Sequence, residues 1–226
     1  MKLVSAIRRE LRARADEARA PQMQAYMKSE MPFLGVPMPE HRAFTRALVN
    51  EHPPANAAEW RAAVELLWRE ATHREERYCA IHVARHRRGD PFQEPKVLAL
   101  YEELVVAGAW WDLVDAIAPY RIGELLQRFP APIAKRLRTW SRSGNLWKRR
   151  ASIIAQLKAK ERTDFELLAE CLEPSLESEE FFLRMAIGWA LREHGKTDPA
   201  SVLRYVDRHR DRMAPLSVRE ATRNLD

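Results

Sequence analysis

The stretch AWWDLVDAIAP, residues 109–119, sets a tryptophan and a carboxylate four residues apart. On a helix Trp111 and Asp115 therefore lie one turn apart on a shared face, while Trp110 points about 100° away. Arg150, Trp189 and Arg192 stand in later segments of similar pattern, with Lys158 and with Arg149 or Lys148 nearby in sequence. Such cations take phosphates, Arg through a planar fork, and indole rings take sugars or bases by stacking and cation–π contact. A basic surface with interleaved aromatic rings and one placed carboxylate points to nucleic acid, provided the fold brings these segments onto one face.

Only a repeating scaffold does that. Apolar residues recur with a 3.6-residue period almost end to end, predicting helices over 2–18, 21–30, 39–52, 56–70, 73–88, 92–107, 110–128, 131–142, 145–160, 163–172, 178–195, 198–212 and 215–225. Breakers such as EHPPAN, RGDP, RFPAP, RSGN and KTDP fall between them, and alternating strand patterns are absent. The expected class is all-α. Similar segments begin near Arg77, Trp111, Arg150, Arg184 and Arg219, at spacings of 34, 39, 34 and 35 residues. A two-helix unit recurring at that period is the mark of an α-solenoid. The Ala- and Ile-rich helix of each unit is expected to line a concave basic face. No linker interrupts the array, so residues 1–226 are expected to form one domain.

Composition agrees with a folded chain: 226 residues, 46% hydrophobic and 31% charged, with only 7 glycines. The net charge is +6, and 30 of the 38 basic residues are Arg. That balance is compatible with nucleic acid without requiring it. Two cysteines, Cys79 and Cys171, are too few for a disulfide framework and read as reduced thiols. The charged opening MKLVSAIRRELRARADEAR lacks the apolar core of a signal peptide, and no apolar run is long enough for a membrane span. The expectation is cytoplasmic, away from membranes.

Trp60, Trp68, Trp140 and Trp147 read as core residues. Cys79, His82 and His86 are spaced three and four apart, as in some zinc sites, but no fourth ligand is evident. Neither metal nor cofactor is expected. Phosphate-binding Gly-rich loops, nucleophile elbows and paired-carboxylate signatures are missing from the sequence.

Five stretches in order resemble the AlkD-like DNA alkylation repair enzymes, DNA glycosylases built from HEAT-like helical repeats. They are AYMKSEMPFLGVPMPEHR, ELVVAGAWWDLVDAIAP, SGNLWKRRASIIAQLK, FFLRMAIGWALREHGKTDP and MAPLSVREA, and the similarity covers nearly the whole chain. The resemblance implies excision of positively charged N3- and N7-alkylated purines such as 3-methyladenine and 7-methylguanine from double-stranded DNA. It implies Asp115 as catalytic aspartate, Trp111 and Trp189 as rings embracing the lesion nucleotide's backbone, and Arg150 beside the aspartate. Tyr26, Arg42, Lys158 and Arg192 match positions lining the DNA groove. Met38 and His41 depart from the pattern, which touches fine DNA contacts and leaves the Trp–Asp–Arg–Trp set whole. The resemblance also implies grip on sugar and backbone without base flipping. A capped solenoid gives no reason for a dimer, so a monomer is expected. Two other readings stay open: a non-catalytic binder of DNA structure, and a solenoid scaffold for an acidic protein partner.

Overall fold

The computed structural model describes residues 1–223 and residue 225. Among them there are helices and turns but no strand, so the chain is all-α. It divides into two compact units, one spanning Met1–Gln93 and one beginning at Glu94.

The first unit contains α1 (Lys2–Ala13), α2 (Ala20–Met27), α3 (Met38–Glu51), α4 (Ala57–Arg69) and α5 (Arg74–Arg85). Helices α1, α3, α4 and α5 pack on one another. Their apolar stripes leave Ile7, Leu11, Trp60, Leu67 and Trp68 at most 2% exposed, each such burial stabilising by roughly 1.5–3 kcal/mol. Asn56 caps α4, its side chain accepting the Glu59 N–H at 3.0 Å. Helix α1 stops short of the expected residue 18 because the Asp16 carboxylate accepts the N–H groups of Ala18 and Arg19 at 3.1 and 2.9 Å. That local turn competes with helix continuation. At the start of α5 the buried Glu75 carboxylate accepts the N–H groups of Leu34, Gly35 and Val36 at 2.9–3.2 Å, pinning the extended segment before α3.

The second unit contains α6 (Leu98–Gly108), α7 (Trp111–Ile117), α8 (Gly123–Arg128), α9 (Pro130–Ser141), α10 (Leu146–Ile154), α11 (Phe165–Leu172), α12 (Phe181–Gly195), α13 (Pro199–His209) and α14 (Pro215–Thr222). Helices α7, α10, α12 and α14 touch in succession, while α9 and α11 back α10 and α13 backs α12 and α14. The four inner helices begin at Trp111, Leu146, Phe181 and Pro215, 34 or 35 residues apart. This inner–outer alternation is the order of an α-solenoid, and its spacing is more even than the sequence segments suggested. Gly188 lets α12 and α14 close up: a Cβ there would lie 2.4 Å from the Glu220 Cβ and 3.0 Å from the Ser217 carbonyl oxygen.

Three further expected helices differ in ways their residues explain. The 92–107 helix starts only at Leu98, because Pro91 and Pro95 shape the preceding chain into 3-10 turns at Arg87–Phe92 and Pro95–Val97. The 110–128 helix is divided by a π turn at Ala118–Ile122. Pro119 has no N–H to give the Asp115 carbonyl one turn back, so the backbone widens there. The 145–160 helix ends at Ile154, where Gln156 instead bonds the N–H and carbonyl of Asp164 at 2.8 and 2.9 Å. The expected 215–225 helix is seen as far as Thr222; residue 224 lies outside the described residues.

Candidate active site

Helix α7 presents the tryptophan–carboxylate pair. Gly108 ends α6, and Ala109 then takes a left-handed backbone, φ 42° and ψ 36°. That conformation costs an L-residue roughly 1–2 kcal/mol. Trp110 follows in extended conformation, so only Trp111 of the two tryptophans is helical. The two rings therefore diverge through this turn and not through the 100° helical step that the sequence suggests. Trp110 packs instead against Phe182 and Trp147, ring centroids 5.4 and 6.0 Å away, and Trp147 lies 5.1 Å from Phe182. This cluster locks the α7, α10 and α12 starts together.

Asp115 lies one turn after Trp111 and meets Arg150 of α10. The guanidinium donates from Nε to Oδ1 at 2.8 Å and from Nη2 to Oδ2 at 2.7 Å, and from Nη1 to the Phe182 carbonyl at 2.5 Å. A two-pronged fork of this kind fixes the carboxylate plane as well as its charge. The Arg150 side chain is 5% exposed, and Asp115 retains 17%. Each Asp115 oxygen takes one bond from Arg150 and keeps a further lone pair. Burial pushes the Asp115 carboxyl above the ordinary aspartate range; the Arg150 bonds and charge pull it down, Asp112 pushes it up, and burial prevails.

Trp111 and Trp189 are both half-buried, and neither makes a ring or cation contact among the described residues. Arg192, on the turn of α12 after Trp189, is paired with Glu220 of α14. Lys158 is exposed, its Nζ 5.8 Å from the Tyr120 ring centroid. The other two cations of α10 are tied inward. Lys148 bonds Glu102 at 2.5 Å, and Arg149 bonds the Pro174 carbonyl and the Ser175 hydroxyl at 2.8 and 2.9 Å. In the first unit Tyr26 is 78% exposed, and Arg42 is exposed as well.

His41 corrects the expectation attached to it. It is fully buried, stacked on Tyr78 at 5.3 Å, with Nδ1 3.0 Å from His82 Nε2. A residue so placed makes no direct surface contact, whereas Met38 is 45% exposed. Burial pulls the two imidazoles down to about 4 and about 3. The zinc-like spacing at Cys79, His82 and His86 does not converge. Thr45 donates to the Cys79 sulfur, His82 faces His41, and His86 accepts the Arg88 N–H. Among the described residues no group of three or more His, Cys, Asp or Glu could hold a metal ion.

Sequence reasoning missed Phe181 and Phe182. Phe182 supplies both the carbonyl that anchors Arg150 and a ring 5.9 Å from its guanidinium, and Phe181 beside it is 58% exposed. The signal was available as the FF pair opening the repeat that carries Trp189.

An all-α chain with an Arg-anchored carboxylate one turn after a half-buried tryptophan matches the family model described as DNA alkylation repair enzyme, over residues 7–225. The chain belongs to that family, and a role in DNA repair follows. Among solved structures it is similar to a "Predicted DNA alkylation repair enzyme from Enterococcus faecalis", with 30% identity and a TM-score of 0.83, covering 93% of this chain and 96% of that one. No curated protein matches. No helix among the described residues is long and apolar enough to cross a membrane.

Proposed function

We propose that the protein is a DNA glycosylase that excises N3- and N7-alkylated purines, such as 3-methyladenine and 7-methylguanine, from duplex DNA. The observation that carries this reading is the Asp115 carboxylate, held by two Arg150 bonds yet still 17% exposed. Alkylation at N3 or N7 gives the purine a positive charge, so it leaves with the bond electrons and needs no general acid. The sugar left behind becomes oxocarbenium-like. A fixed carboxylate near C1′ stabilises that charge, as in glycosidases, and one suffices because no proton donor is required. Water then adds to C1′, loses a proton, and leaves free base and an abasic site.

Trp111 and Trp189 serve the same cation through their ring faces, for roughly 0.5–2 kcal/mol each. Arg150 favours the ionised carboxylate, opposing the push of burial. Lys158, Arg192, Tyr26 and Arg42 are the proposed DNA contacts. Arg192 has first to release Glu220, and Lys148 and Arg149, the weaker candidates, have each to release an internal partner as well.

The working form is a monomer that grips sugar and backbone without extruding the base, whereas most glycosylases draw the base into a snug pocket. Bulky N7 adducts should therefore be removed as well as methyl ones; methyl release with bulky adducts left intact would contradict the grip without flipping. The test of the activity itself is single-turnover release of free 7-methylguanine from a duplex carrying one lesion. Release supports the glycosylase. Duplex binding without release moves the protein to the non-catalytic DNA binders.

A further inference from the structure

Beyond the end of α10, a cavity of about 270 Å³ opens between the turn at 155–163, α11 and α12. That size falls near the lower edge of small-molecule sites, roughly 300–1,000 Å³. It lies close to the candidate active site, since Ile153 in its wall is three residues beyond Arg150 on the same helix. Neither Asp115, Trp111, Trp189 nor Arg150 lines it.

The inner wall is aliphatic: Ile153, Leu157, Leu168 and Ala190 are all at least nine-tenths buried. The mouth is charged. Lys196 is neutralised by Glu193 at 2.7 Å, which leaves Lys158 and Lys160 against Glu161 and a positive balance. Lys160 also holds its backbone at φ 53°, in the left-handed region that favours glycine. A strained residue of this kind is kept where the surrounding structure has a use for it. Thr163 and Thr197 donate their hydroxyl protons to the carbonyls of Lys160 and His194, so their oxygens are left as acceptors.

His194 completes the wall. Its ring stacks on Phe165 at 4.6 Å and is 9% exposed, and neither nitrogen has a hydrogen-bond partner among the described residues. Burial lowers its pKa, with Asp198 pulling the other way, so the ring is neutral near pH 7. It therefore carries one unmet donor and one unmet acceptor. Leaving such groups unpaired out of water is costly, and each calls for an explanation.

An aliphatic wall, a neutral heterocycle and two ammoniums at the rim without a carboxylate partner among the described residues, Lys158 beside the Tyr120 ring and Lys160, suit an amphipathic anion. In a protein of DNA repair, the anion of that chemistry is a nucleotide. We propose that this cavity binds a nucleoside monophosphate unit, with the nucleoside against the aliphatic wall and the phosphate at Lys158 and Lys160. The unit is either a free mononucleotide or one nucleotide of a strand held at the same time. The site stands whether or not Asp115 is catalytic.

The test uses the full chain labelled with ¹⁵N-histidine, with the His194 ring signals assigned by their loss in His194→Gln. The probes are dAMP, deoxyadenosine, inorganic phosphate and a 5′-phosphorylated trinucleotide. The expected result is a saturable shift of the His194 signals with dAMP. Deoxyadenosine and inorganic phosphate should each bind at least about ten-fold more weakly. Lys160→Glu, at an exposed position, should weaken dAMP by a similar factor, while Lys160→Arg retains it. A trinucleotide that binds as well as dAMP identifies the strand as the source; dAMP binding alone identifies the free nucleotide. The proposal is overturned if no probe gives a saturable shift, if inorganic phosphate binds as tightly as dAMP, or if Lys160→Glu leaves dAMP binding unchanged.

Discussion

Glu75 in the first unit and Asp115 in the second are both carboxylates withdrawn from water, held in opposite ways. Glu75 is wholly buried and accepts three successive backbone N–H groups, those of Leu34, Gly35 and Val36. Asp115 is 17% exposed and takes its bonds from one guanidinium. The first arrangement uses up the carboxylate in holding a loop. The second fixes the group and its charge and leaves lone pairs open to something outside the fold. The tryptophans divide similarly: Trp60, Trp68 and Trp140 are at most 2% exposed, whereas Trp111 and Trp189 are half-buried. A carboxylate that is fixed yet still open to a bond from outside marks the site; one whose bonds are used up within the fold marks the scaffold.

Breaking the scaffold side of this comparison should give the largest loss of stability. In Glu75→Gln one backbone N–H is left facing an amide NH2, and bonds to a charged acceptor, worth about 1.5–3 kcal/mol each, become neutral ones. The expected cost is about 2–4 kcal/mol, read as a lower urea midpoint, with base release per folded molecule unchanged. A variant of normal stability would mean that Glu75 is not spent on the loop.

On the site side, Trp111→Phe and Trp189→Phe weaken a cation–π contact but keep a ring. Each should slow single-turnover release by up to about thirty-fold, the equivalent of roughly 0.5–2 kcal/mol, with the urea midpoint nearly constant. Trp60→Phe should reverse the pattern, lowering stability and sparing the rate.

The smallest effect is that of mild acidification on the Asp115 carboxyl. Its pKa is raised by burial and the group must be ionised to act, so release should fall on acidification with a midpoint above the ordinary aspartate value, about 3.9. The sign for stability is the opposite. A raised folded pKa contributes stability below the ordinary aspartate range, and that contribution is lost as pH rises through the raised value. Removing the charge at neutral pH should therefore harm the rate far more than the fold.

The helices were legible because 3.6-residue periodicity and Pro- and Gly-containing breakers agree along the chain. The ends were less so. Asp16, Pro119 and Gln156 each redirect the backbone through bonds or missing donors that a periodicity count does not register. The site was legible in its residue types and less so in its directions. Lys148, Arg149 and Arg150 are consecutive cations, and only packing decides that Arg150 turns to Asp115 while Lys148 meets Glu102 and Arg149 meets Ser175. His41 illustrates the same limit, since a histidine suits a surface or a core and here it pairs with His82 inside. The left-handed Ala109 gave no sequence signal, because glycine is the residue that usually marks such a turn.

The most direct test of the account compares wild type with Asp115→Asn in single-turnover release of 7-methylguanine from a duplex, with urea unfolding run on both. The account predicts a rate loss of about a hundred- to a thousand-fold, the usual effect of removing such an electrostatic partner, with the fold retained. Release at the wild-type rate from a folded Asp115→Asn protein would contradict it.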